Sequence, residues 1–196
     1  MLRRQRRPTL WSGTLEYDTR PQKLTSSLSQ DSPPVTVINT LAAVALVSSD
    51  SDLLEAAISE LQTIPAARVI AEDPEAHVPL VLSTNALNAS DPEEAIAALQ
   101  TALHTVPTDH ITRNRLASLL ISNERVEEAA ELLNVELGRD VGVKSEGMRL
   151  RGIAKILAGD EGGLSDLEGA VRVCPWDVKG MEGVAWGRKI LDELKE

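Results

Sequence analysis

Three histidines, one cysteine and a few paired carboxylates are the side chains in this 196-residue sequence with the chemistry for catalysis or metal binding. A zinc site needs three or four such ligands at set spacing, as in H-E-x-x-H or a pair of C-x-x-C knuckles. His77, His104 and His110 make no such pattern, and Cys174 has no second cysteine to pair with. The phosphate loop G-x-x-x-x-G-K-[ST] and the nucleophile elbow G-x-S-x-G are absent. Gly159-Asp160-Glu161-Gly162-Gly163 carries two acids, which suit a turn and repel phosphate. Glu127-Glu128 falls where a helix begins, and its charge there complements the helix dipole. Cys174 beside Pro175 reads as packing at a helix end. The expectation is a protein that is not an enzyme and holds no cofactor and no metal.

The elements that would carry these residues are helices. From Val35 onward the sequence falls into Ala/Leu-rich blocks separated by short polar joints. Ala95, Leu99, Ala102 and Leu103 recur at the spacing of one helix face, and no stretch alternates with a period of two. Ser90-Asp91-Pro92-Glu93-Glu94 places a capping oxygen, a proline and carboxylates at a helix start, and Thr108-Asp109 does the same later. Only Trp11, Tyr17, Trp176 and Trp186 are aromatic and there is no Phe, which disfavours folds that read nucleic acid by stacking.

The blocks repeat. Pro107 closes a block with Ala95, Leu99 and Ala102 at 12, 8 and 5 residues before it, and Pro175 closes one with Gly163, Leu167 and Ala170 at the same offsets. The two prolines are 68 residues apart, twice 34, and Ala129 and Leu133 stand where a middle unit requires them. Expected divisions are a polar basic segment over 1–34, a divergent repeat over 35–75, units over 76–109, 110–143 and 144–177, and a capping helix over 178–196. In the divergent repeat, Glu55 to Thr63 aligns with Glu93 to Thr101 at a spacing of 38, which puts Leu41, Val44 and Ala45 at repeat positions 4, 7 and 8. The extra residues fall around an added turn at Ala66 to Ala71.

A 34-residue helix–turn–helix unit with small residues at positions 8 and 20 and proline at 32 resembles the tetratricopeptide repeat. The small residues let two helices approach and the proline ends the second. Leu82, Ser83, Ala95, Leu99, Ala102 and Pro107 fill the pattern in one unit, Leu116, Ala117, Ala129 and Leu133 in the next, and Leu150, Gly163, Leu167, Ala170 and Pro175 in the third. Pro79, Arg113 and Gly147 stand where the repeat favours Trp, Arg151 where it favours a small residue, and Glu136 and Val141 where it favours Ala and Pro. The resemblance implies an all-α helical-hairpin solenoid wound as a right-handed superhelix, with a flexible N-terminal tail.

Arg115 to Leu120, Gly159 to Leu164 and above all Ala170-Val171-Arg172-Val173-Cys174-Pro175-Trp176-Asp177 resemble the C-terminal repeats of the superkiller complex tetratricopeptide scaffold. Gly180 and Met181 depart from that pattern, which has an aromatic there. Members of that family are far longer, so the resemblance implies the final repeats of such a scaffold. It also implies a DExH-box RNA helicase and WD40-propeller subunits as protein partners, in an assembly that feeds the exosome for cytoplasmic mRNA decay. A generic peptide-binding adaptor of an unrelated pathway is the other reading.

Residues 1–24 carry six basic and two acidic side chains, so the rest of the chain holds −14 of a total of −10. A body that acidic repels a phosphate backbone, and no direct nucleic-acid contact is expected. No apolar run reaches membrane-spanning length, and the start lacks the apolar core of a secretory signal. Pro8, Glu16 and Asp18 interrupt any presequence-like helix, so the expected location is cytoplasmic, with a nuclear pool compatible. Repeat positions 2, 5, 9 and 12 of the first helices should line the concave face. The candidates there are His77, Leu80, Thr84 and Leu87, then Ile111, Asn114, Ser118 and Ile121, then Ser145, Met148, Gly152 and Lys155, with Trp186 in the last helix. A mixed, modestly apolar groove of this kind suits a peptide or a helix.

Overall fold

Each polar joint inside a hairpin folds by the same device. The computed structural model describes residues 32–193, and among them ten helices and no strand. They are α1 (Val35–Ser48), α2 (Ser51–Thr63), α3 (Ala66–Glu72), α4 (His77–Asn88), α5 (Pro92–Thr105), α6 (His110–Ser122), α7 (Val126–Leu132), α8 (Val141–Leu157), α9 (Gly163–Val173) and α10 (Val178–Glu193). Ser49, Ser90, Glu124 and Gly159 end α1, α4, α6 and α8 in the left-handed region, with φ of 56°, 61°, 62° and 84°. The next amide then reaches back five residues: Asp50 to the Ala45 carbonyl, Asp91 to Ala86, Arg125 to Leu120 and Asp160 to Lys155, at 3.1, 2.8, 2.9 and 2.8 Å. This closure satisfies carbonyls that the helix end leaves open. Asp50 and Asp91 then turn their carboxylates onto the next helix, accepting from the Leu53 and Glu94 amides. Asp109 and Asp140 cap α6 and α8 in the same manner.

The helices pair as α1–α2, α4–α5, α6–α7 and α8–α9, with α10 against both α8 and α9. The basic segment over 1–34 lies, except for residues 32–34, outside the described residues. Those three are held in place: Arg68 donates to Ser32 Oγ at 2.8 Å and to the Pro33 carbonyl at 2.7 Å. Glu72 accepts from the first amide of α1, that of Val35, at 2.9 Å. The added turn expected near Ala66 is thus the helix α3, which clamps the start of α1.

The turn amides at 50, 91, 125 and 160 give the repeat spacing directly, as steps of 41, 34 and 35 residues. The first step applies to the turn and to α1, whereas the 38-residue alignment of Glu55 to Thr63 with Glu93 to Thr101 holds in α2, where Ala57, Ile58 and Leu61 are buried like Ala95, Ile96 and Leu99. With 41, Ala42 takes the small-residue position and Ile38 and Ala45 fall on buried ones, and all three are buried; Val44, expected in the core, is exposed. The last step moves the first helix of the fourth hairpin on by one residue. Gly152, not Arg151, meets the second helix there: a Cβ on Gly152 would lie 2.7 Å from the Gly163 carbonyl oxygen.

Packing follows the same nearest-neighbour order. Val35, Ile38, Leu41, Ala57, Leu61 and Val78 form one apolar cluster across α1, α2 and α4. Leu99, Leu116, Leu120, Leu133 and Leu150 form a second across α5 to α8, closed by the Ala117–Ala129 crossing. Ile156, Leu167 and Leu191 form a third that seats α10. The α7 helix ends at Leu132, and Leu137 from the loop beyond it is buried against α8. A Cβ at Gly147 would stand 3.0 Å from both Leu137 Cδ2 and Asn114 Oδ1. Leucine from the preceding loop therefore fills space beside the position where the repeat favours Trp.

Candidate functional site

The first helices α4, α6 and α8 place the expected groove residues in three different ways. On α4, His77 and Thr84 are exposed, while Leu80 is half-buried against the α5–α8 cluster. The Asp73 carboxylate explains the setting of His77: it accepts from the His77 amide at 3.0 Å and from the Val78 amide at 2.7 Å. The His77 ring lies 3.2 Å from Asp73 and 3.4 Å from Glu75. On α6, Ser118 and Ile111 are exposed, but Asn114 is buried. Its amide donates to the Val143 carbonyl at 2.9 Å and to Glu146 at 3.3 Å, tying α6 to α8. Asn114 is therefore a joint between hairpins, not a free groove side chain.

On α8 the one-residue phase change turns the expected set away. Ser145 is buried and donates to the Ala170 carbonyl at 3.1 Å. The Met148 methyl packs against Gly169. Lys155 binds Asp166 at 2.9 Å, and Arg151 holds the other oxygen of the same carboxylate at 2.5 Å. Met148 and Lys155 thus face α9, inside their own hairpin. Burial pushes the Asp166 carboxyl up, but the hydrogen bonds and charges of Arg151 and Lys155 outweigh it and hold it below the ordinary carboxylate value.

Arg149 and Ile153, one residue further round, occupy the surface that Met148 and Gly152 were expected to fill. With Lys179, Glu182 and Gly183 they line a cavity of about 480 Å³ whose remaining wall is Trp186. Trp186 is half-buried and also touches the α8–α10 cluster. Trp176, in the α9–α10 joint, is 75% exposed. A larger cavity of about 530 Å³ opens between α5 and α7, with Leu103, Leu116, Leu120 and Leu132 in its walls and Glu128 and Glu131 among its polar groups. Among the described residues, no three His, Cys, Asp or Glu side chains gather as a metal site.

The family described as Tetratricopeptide repeat matches residues 86–137, from the last turn of α4 to the loop after α7. The solved structure of the MamA RS-1 ArsTM double mutant superposes with a TM-score of 0.64, covering 84% of this chain and 88% of its own at 14% identity. The fold is a tetratricopeptide-repeat solenoid. No curated protein matches the sequence. Tetratricopeptide hairpins stack to present a continuous surface to other proteins, so this chain is built as a protein-interaction scaffold. No helix among the described residues is long and apolar enough to cross a membrane.

Proposed function

We propose that this chain is a non-catalytic scaffold of the superkiller type, supporting helicase-driven, exosome-mediated 3′–5′ mRNA decay in the cytoplasm. The observation that carries the reading is the run Ala170 to Asp177. Its apolar part closes α9, with Ala170 and Cys174 buried, and its Trp176 stands out from the joint to α10. Exposed tryptophan is a common anchor for a protein partner. The DExH-box helicase and WD40-propeller subunits named by the resemblance are the proposed occupants of this C-terminal end. An acidic body supports the same reading, since it holds an RNA machine without itself gripping RNA.

The test is co-purification of the tagged full chain from cells of its own source. Recovery of both a DExH-box helicase and a WD40 protein, lost or reduced in Trp176→Ala, is the expected result. Recovery of neither overturns the superkiller reading and leaves a generic peptide-binding adaptor.

A further inference from the structure

Arg113 is a buried charge with no acid to pair with among the described residues. It stands where the repeat favours Trp, on the first turn of α6, and is only 9% exposed. One guanidinium nitrogen donates to the Pro107 carbonyl at 2.5 Å, and the other lies 3.0 Å from His110 Nδ1. Its Nε is buried and has no hydrogen-bond partner. A buried guanidinium ordinarily has an acid to offset the loss of water, and Arg113 has none among the described residues.

That side chain lines a cavity of about 470 Å³ between α6 and the loop after α7. The loop is drawn against α6 at Gly138, where a Cβ would fall 2.6 Å from the His110 ring. Gly138 is thus the residue that lets the loop close, and Arg139 next to it joins the same wall. Arg139 is exposed and has no ion pair among the described residues. Glu136 is the acid in that lining, and Lys144 and Arg151 line the adjoining cavity on the α8 side. With Arg151 already paired to Asp166, the notch itself holds Arg113 and Arg139 against Glu136, a local excess of positive charge in a chain of net charge −10.

We propose that the notch is an oxyanion site, in which Arg113 and Arg139 take a carboxylate or phosphate group presented by a bound polypeptide. A guanidinium offers paired donors to a planar or tetrahedral oxyanion, and partial burial strengthens each bond by excluding water. With His110 Nδ1 accepting from Arg113, the ring proton sits on Nε2, so His110 is a further donor. Glu136 opposes the ligand and sets its affinity. The site rests on the scaffold reading only in taking the oxyanion to belong to a protein.

The test follows the arginine Nε–H signals of the full chain by NMR during titration with sodium acetate or inorganic phosphate, each against sodium chloride at matched ionic strength. A saturable shift of the Arg113 Nε–H with acetate or phosphate but not with chloride is expected. Tighter phosphate binding assigns a phosphorylated partner, and tighter acetate binding an acidic side chain. Arg139→Ala should weaken the response at least threefold, and Glu136→Gln should strengthen it about threefold. Both positions are exposed, so neither variant threatens the fold. An Arg113 signal that follows chloride equally, or that titrates identically in both variants, overturns the proposal. No partner protein enters the experiment, so its failure leaves the superkiller reading to its own test.

Discussion

Asp166 shows how one side chain can set the stability of a hairpin. Burial alone would raise its carboxyl, but Arg151 and Lys155 reverse the direction and hold it below the ordinary value of 3.8. A depressed carboxyl stabilises the fold above the unfolded value and loses that contribution as pH falls through the folded one. Asp166→Asn should cost about 2 kcal/mol at neutral pH, from charge-assisted hydrogen bonds to a largely buried group. In urea melts the gap from the parent should hold down to about the ordinary Asp value near 4 and close below it. Glycine at the same crossing is constrained by space. Gly163→Ala would drive a Cβ to 2.5 Å from the Gly152 carbonyl oxygen, backbone that cannot swing aside. Overpacking of this kind should cost about 3 kcal/mol. Gly169→Ala meets only the flexible end of Met148, and should stay within about 1 kcal/mol of the parent in the same melts.

Between elements, the loop after α7 decides how the third and fourth hairpins join. Leu137 is buried although it lies outside any helix, and its fit depends on the missing side chain at Gly147. Leu137→Ala should destabilise the chain by about 3 kcal/mol, measured by thermal or urea unfolding. It should also disturb the Arg113 notch, since Gly138 and Arg139 follow it directly. The helical blocks, the aspartate caps and the Ala117–Ala129 crossing were legible because each depends on residues near in sequence. Helix phase was less so. Strict 34-residue spacing put Met148 and Lys155 on the concave face, yet the Asp160 turn comes one residue late and both face α9. A single added residue rotates a helix by about 100°, enough to exchange one face for another. Arg151 at a small-residue position was the sign of that slip in the sequence.

At the scale of the whole array, three apolar clusters among the described residues hold the hairpins together. Stability in such an array is close to a sum over units and their interfaces. Gly163→Ala should therefore speed amide hydrogen exchange in α8, α9 and α10 while leaving α1, α2 and α3 near parent rates. Uniform loss of protection along the chain, read by mass spectrometry, would show one cooperative core instead. The clamp of Arg68 and Glu72 on residues 32–35 supports independence of the N-terminal hairpin, because α3 closes that end by contacts of its own.

The sequence by itself determined the all-helical class, the hairpin repeat and the lack of any patterned catalytic or metal motif. These follow from local propensity, capping chemistry and periodicity, which need no knowledge of distant residues. Only the tertiary structure decided which face of each first helix is free, because that depends on turn lengths counted across hairpins. It also decided what Arg113 means. A lone arginine at a tryptophan position reads as a departure from the pattern; enclosed beside His110, Gly138 and Arg139 without an acid of its own, it becomes a site.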